Sequence, residues 1–140
     1  MTAIVKAVSE TEVPVKAKHV RSAIIGTFQE KSSQTFWSIC MRLPLQSSPI
    51  LAWKFCHTLH KLLREGHHNT LQDSMRHRDL LIDTGKMWGH LKDGYGKLIC
   101  LYCRLLIVKL DFHRKNPRFP GNMAMKDEEL EAVCENDINN

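Results

Sequence analysis

An all-α stack of about seven to eight short helices is what this sequence predicts. Three observations lead there. No stretch alternates apolar and polar residues for long enough to make a strand. Apolar residues instead recur at spacings of three and four, segment after segment. The links between those segments are short and marked by Pro, Gly, Ser and Asp. No repeat of the common solenoid families is visible, so the winding of the stack does not follow from the sequence.

Residues 2–9 predict a first helix with Ile4, Val5 and Val8 inward and Lys6 outward. With one lysine and no aromatic residue it reads as packing on the body rather than entering lipid. Residues 15–28 predict a second helix, started by Pro14, whose stripe is Val20, Ala23, Ile24 and Thr27; Gly26 weakens its last turns. After a turn at residues 30–33, Ser33 is placed to cap a third helix running to Arg42 or Leu43, with Phe36, Trp37, Ile39 and Cys40 as its apolar residues. Residues 50–64 predict the central helix, because Ile50, Leu51, Trp53, Phe55, Cys56, Leu59, Leu62 and Leu63 cover most of its circumference. Gly66 ends it as a left-handed cap residue. From Thr70 one further helix carries Leu71, Met75, Leu80, Leu81 and Ile82, with Gly85 as a candidate break before Met87, Trp88 and Leu91. Asp93-Gly94-Tyr95-Gly96 predicts a turn. Residues 97–113 predict a long helix with Leu98, Ile99, Leu101, Tyr102, Leu105, Leu106, Val108 and Phe112 mostly inward. A loop at residues 116–122 and a short acid-rich helix at 127–135, with Leu130 and Val133 on one side, complete the chain.

At 140 residues, 43% hydrophobic and 25% charged, the composition is that of one globular domain with a real core. The net charge of +5 is unevenly spread. Six of the 15 acids fall in the last fourteen residues, so residues 1–126 hold 20 bases against 9 acids, a net of +11. Such a body suits a polyanion, either nucleic acid or the anionic face of a membrane. Phe36, Trp37, Trp53, Phe55 and Trp88 read as core rather than as exposed stacking platforms, which argues against nucleic acid. Five cysteines leave one over in any intramolecular pairing, and no signal-peptide pattern opens the chain. Cys40, Cys56, Cys100 and Cys103 lie in apolar helical context and read as reduced core thiols. The richest apolar run, residues 98–110, is broken by Arg104 and Lys109, so any membrane contact is expected to be peripheral.

The chemistry-bearing residues divide into weak signals and one stronger cluster. Cys100-Leu101-Tyr102-Cys103 has zinc-ligand spacing without a second pair. Cys56 and His60 could share a metal on one helical face, yet core packing explains both more simply. No nucleophile motif and no phosphate-binding glycine loop appears, so no enzyme activity, cofactor or metal is expected. A basic patch of Lys109, His113, Arg114, Lys115 and Arg118 closes the long helix, where cations complement the negative end. The cluster is Val15-Lys16-Ala17-Lys18-His19, with Lys6 ten residues before Lys16. A link from about Ser9 to Val15 would bring Lys6 beside Lys16, Lys18 and His19 at a helix N-terminus, where free N–H groups also attract anions.

These residues carry a resemblance. Lys6-Ala7-Val8, a gap of six, then Val15-Lys16-Ala17-Lys18-His19 resembles the phosphoinositide signature of ANTH domains. Val8 departs slightly, at a position that packs rather than binds. Gln34-Thr35-Phe36-Trp37-Ser38, Arg42-Leu43-Pro44-Leu45, Trp53-Lys54-Phe55-Cys56-His57, Met87-Trp88-Gly89-His90-Leu91 and Lys115-Asn116-Pro117-Arg118-Phe119-Pro120-Gly121-Asn122 look like the huntingtin-interacting protein family of endocytic adaptors. The likeness runs from Lys6 to Asp137-Ile138-Asn139-Asn140.

The resemblance implies an ENTH/ANTH-type superhelical stack, residues 1–140 being the N-terminal portion of an ANTH domain that continues in further helices. It implies a module peripheral to the membrane at clathrin-coated pits and vesicles, holding phosphoinositide headgroups of the cytosolic leaflet with Lys6, Lys16, Lys18 and His19. The ENTH domain of epsin is an implied partner sharing that lipid. Clathrin light chain and actin are implied for parts of a parent protein outside this chain. His19 would add a conditional charge, its ordinary pKa being about 6.5. The alternative is a helical protein-recognition module that takes a peptide, a SNARE helix or a partner domain, with lipid binding secondary.

Overall fold

The computed structural model describes residues 2–8, 17–90 and 94–122. Within them seven helices follow one another without a strand: α1 (Thr2–Ala7), α2 (Ala17–Glu30), α3 (Gln34–Cys40), α4 (Pro49–Glu65), α5 (Asn69–Met75), α6 (Arg78–Gly89) and α7 (Gly94–Lys115). The link carrying Pro14, Val15 and Lys16, residues 91–93, and the acidic run from Asp127 lie outside the described residues.

α4 forms where its cap chemistry is strongest. The Ser48 hydroxyl accepts the Leu51 N–H at 3.2 Å, and Pro49 occupies the first helical position. Leu51, Ala52, Phe55, Cys56, Leu59, Leu62 and Leu63 are all buried, so the helix is enclosed as its pattern demands. α2, α5 and α7 pack around it. Phe36 stacks on Phe55 at 6.1 Å, and Trp37 meets Phe55 edge-on at 5.8 Å. The Trp88 indole donates to the Leu45 carbonyl at 2.8 Å, tying the end of α6 to the link between α3 and α4.

Several local expectations are corrected. Val5 points outward, 54% exposed, while Ile4, Ala7 and Val8 are buried. A six-residue helix has only one narrow buried edge, and Val5 is off it. Gly26 does not fray α2, which continues to Glu30. It ends instead at Lys31, at φ 59°, where the Ser32 N–H donates to the Thr27 carbonyl at 3.1 Å. That is the left-handed helix end that glycine favours. Lys31→Gly is therefore expected to stabilise the fold by about 0.5–1 kcal/mol in urea denaturation.

Ser33 stands at the N-cap of α3 without capping it. Its N–H and hydroxyl both donate to Asp73, at 2.9 and 3.1 Å, and the Glu30 carboxylate takes the Thr35 N–H. α3 stops at Cys40, short of Arg42, and a turn follows. Gly66 is extended rather than left-handed, at φ −77° and ψ 177°. It is needed for room: a Cβ there would lie 2.5 Å from the Leu62 carbonyl oxygen.

The single helix expected from Thr70 onward is two. The break falls at Arg76–His77, where the His77 ring stacks on Trp37 at 4.3 Å, and not at Gly85. Gly85 is buried inside α6, where a Cβ would come within 3.1 Å of the Cys103 Cβ. One turn later a Cβ on Gly89 would meet the Cys100 Sγ at 3.0 Å. The two glycines let α6 and α7 approach closely, and the two cysteines of the C-x-x-C pattern fill the space they leave. Gly94 and Gly96, read as turn residues, belong to α7.

α7 buries Ile99, Cys103, Leu106, Leu110 and His113. Leu98, Leu101, Leu105 and Val108, expected inward, are 52, 58, 53 and 64% exposed. Both sets keep helical spacing, on opposite sides of the same helix, so apolar content alone could not choose between them.

Candidate functional site

α1 docks through Ile4, Ala7 and Val8 and packs against α2, which returns Val20, Ala23 and Thr27 to the core. Lys6 is in the last turn of α1 and exposed. Lys18 is the second residue of α2, also exposed, and its carbonyl accepts the Ser22 hydroxyl at 2.9 Å. The sequence thus places two ammonium groups on two helices packed together. No carboxylate among the described residues pairs with either; Arg78 and Asp111 form an ion pair at 2.9 Å elsewhere, between α6 and α7. His19 is half-buried and engaged in contacts of its own. Lys16 lies outside the described residues. Val5, exposed beside Lys6, is a neighbour the sequence reading turned inward.

The second basic patch separates into different roles. Arg114, Lys115 and Arg118 are exposed. Lys109 is half-buried and donates to the Gly121 carbonyl, with the His113 Nε2 3.1 Å away. Its ammonium is held below the ordinary lysine range by burial first and by Arg64 second. His113, read as a surface cation, is buried. Its single hydrophobic-face register, with Leu106 and Leu110, was the signal available in the sequence.

The weaker candidates have structural roles. Cys56 faces Cys103, Sγ to Sγ 3.7 Å, and its thiol is pushed up by that hydrogen bond first and by burial second. His60 bonds to the Tyr102 hydroxyl, 3.0 Å from Nδ1. Burial, then the cations Lys109 and Arg64, hold His60 below the usual histidine range, and burial pushes Tyr102 up to about 12. Among the described residues no group of His, Cys, Asp and Glu is arranged to hold a metal. Nor is any helix among them long and apolar enough to cross a membrane.

Solved structures set the class of this fold. A chain of the structure described as the ENTH domain from epsin-2 in complex with phosphatidylinositol 4,5-bisphosphate superposes with a TM-score of 0.88 at 36% identity, over 99% of this chain and 54% of that one. A chain of the structure of the endocytic adaptor complex AENTH gives 0.83 at 32% identity, over 99% of this chain and 56% of that one. The molecule is an ENTH/ANTH-type helical stack. More closely, the chain belongs to the ANTH domain family, whose model matches residues 1–140. Huntingtin-interacting protein 1 of Homo sapiens is 55% identical to it over 135 residues, which is 96% of this chain and 13% of that protein.

Proposed function

We propose that this chain is a phosphoinositide-binding, membrane-docking module, the N-terminal portion of the ANTH domain of an endocytic adaptor that links clathrin coats to actin. Lys6, Lys16, Lys18 and His19 hold the lipid headgroup. The supporting observation is that Lys6 and Lys18 are exposed on two helices packed together, without a carboxylate partner among the described residues. Lysine ammonium groups act as compact point charges toward phosphate, each contributing about 1 kcal/mol near an anionic leaflet. A few such contacts give weak, reversible, salt-sensitive attachment, suited to a coat that must disassemble. The lipid bound in a structurally similar complex supports the ligand class. Clathrin light chain and actin are contacted by parts of the parent protein outside this chain, and the epsin ENTH domain is the partner on the membrane.

Co-sedimentation with liposomes containing phosphatidylinositol 4,5-bisphosphate tests the reading. Lys16→Glu/Lys18→Glu is expected to weaken binding by at least about 2 kcal/mol, or roughly thirtyfold. Equal sedimentation of both proteins would remove the lipid function. In the same assay, binding is expected to strengthen as pH falls from about 7.5 to about 6, because a protonated imidazole adds a positive charge toward the phosphates. His19→Ala is expected to abolish that increment, and a variant that keeps it leaves the imidazole without a role in headgroup binding.

A further inference from the structure

A cleft of about 660 Å³ opens between α5, the last turn of α7 and the 116–122 loop. It shares no lining residue with Lys6, Lys18 or His19. Leu71 and Met75 give it an apolar wall, continued by Phe119, whose ring packs on Phe112 at 5.3 Å. Arg114 and Arg118 line it and are exposed, and no described lining residue carries a carboxylate.

His113 also lines it, although only 3% exposed, and its Nδ1 makes no well-formed hydrogen bond. The Phe119 carbonyl is the acceptor that acts on the imidazole, from outside good hydrogen-bond geometry. The tautomer follows from the other nitrogen. Nε2 faces the Lys109 ammonium at 3.1 Å, and an ammonium only donates, so Nε2 accepts. The proton of the neutral ring is then on Nδ1, a buried donor poorly aligned with the Phe119 carbonyl.

We propose that this cleft binds an extended peptide segment of a partner protein that carries carboxylates next to an apolar side chain. Two guanidinium groups offer planar, charge-assisted recognition of carboxylates, which lysines would not match geometrically. The Leu71–Met75–Phe119 wall receives the apolar side chain. The volume lies within the range of sites that enclose small ligands and short peptide stretches. This site stands independently of the lipid reading, since it uses none of Lys6, Lys16, Lys18 and His19.

The test is fluorescence anisotropy of the whole chain with fluorescein-labelled Glu-Asp-Leu-Glu-Phe-Asp-Glu amide. The control probe is the same peptide with Gln and Asn replacing the acids. The acidic probe is expected to bind saturably and at least about tenfold more tightly than the amide probe. Arg114→Glu/Arg118→Glu is expected to lose at least about tenfold while its thermal melt stays unchanged, because both side chains are exposed. Lys16→Glu/Lys18→Glu should bind the acidic probe as the parent chain does. Equal binding of the two probes, undiminished binding by the arginine variant, or no binding at all overturns the proposal. Binding that appears only after Glu128, Glu129 and Glu131 are changed to Gln overturns it too, by assigning the cleft to the chain's own acidic run.

Discussion

Trp37→Ala is expected to lower stability by about 3–5 kcal/mol, enough to remove a large part of the total for a domain of this size. Trp37 is 2% exposed and touches three rings. Phe36 and Phe55 meet it edge-on at 5.5 and 5.8 Å, and His77 stacks on it at 4.3 Å. Its indole N–H donates to the Ser74 hydroxyl at 3.2 Å. The substitution therefore opens a cavity between α3, α4 and the α5–α6 turn, and leaves the buried Ser74 hydroxyl short of a partner. Trp37→Phe keeps most of the volume and loses only the donor, so its cost is expected to be smaller, about 1–2 kcal/mol. Urea titrations followed by far-UV circular dichroism separate the two. A Trp37→Ala midpoint equal to that of the parent chain would show that this ring cluster does not hold the helices together.

The same residue shows which parts of the fold the sequence could reveal. Phe36, Trp37, Trp53, Phe55 and Trp88 are buried or half-buried as their spacing indicates, and α4 begins at Ser48-Pro49 because cap and N1 signals are local. The break at Arg76–His77 had no local mark. It is held by His77 on Trp37 and by Asp73 on Ser33, contacts that span about forty residues. α7 misled for a different reason: with apolar residues on both sides, periodicity gives the repeat but not the phase. At the front end, the exposure of Lys6 and Lys18 was legible because charge and exposure go together. His113 was misread, since a histidine between Phe112 and Arg114 looks like a surface cation unless the register with Leu106 and Leu110 is followed. The cleft beside it, formed with α5 and the 116–122 loop, is visible only in three dimensions.

Gly85→Val is expected to cost about 3 kcal/mol, at the upper end for overpacking. The new Cβ would stand 3.1 Å from the Cys103 Cβ, and its two methyl groups would have to displace α7 or be forced into poor rotamers. α7 has little freedom to move. Its start is tied to α6 by the Gly89–Cys100 approach, and Arg78 holds its far end by two hydrogen bonds to Asp111, each 2.9 Å. The intrinsic preference of valine over glycine in a helix works in the opposite direction, but by less than 1 kcal/mol. Cys103→Ala removes the sulfur that fills the crossing, so Gly85→Val/Cys103→Ala is expected to recover roughly 1 kcal/mol relative to the sum of the single changes. Additive costs in that double-mutant cycle would mean that Gly85 and Cys103 do not compete for the same space. The C-x-x-C pattern would then need an explanation other than packing.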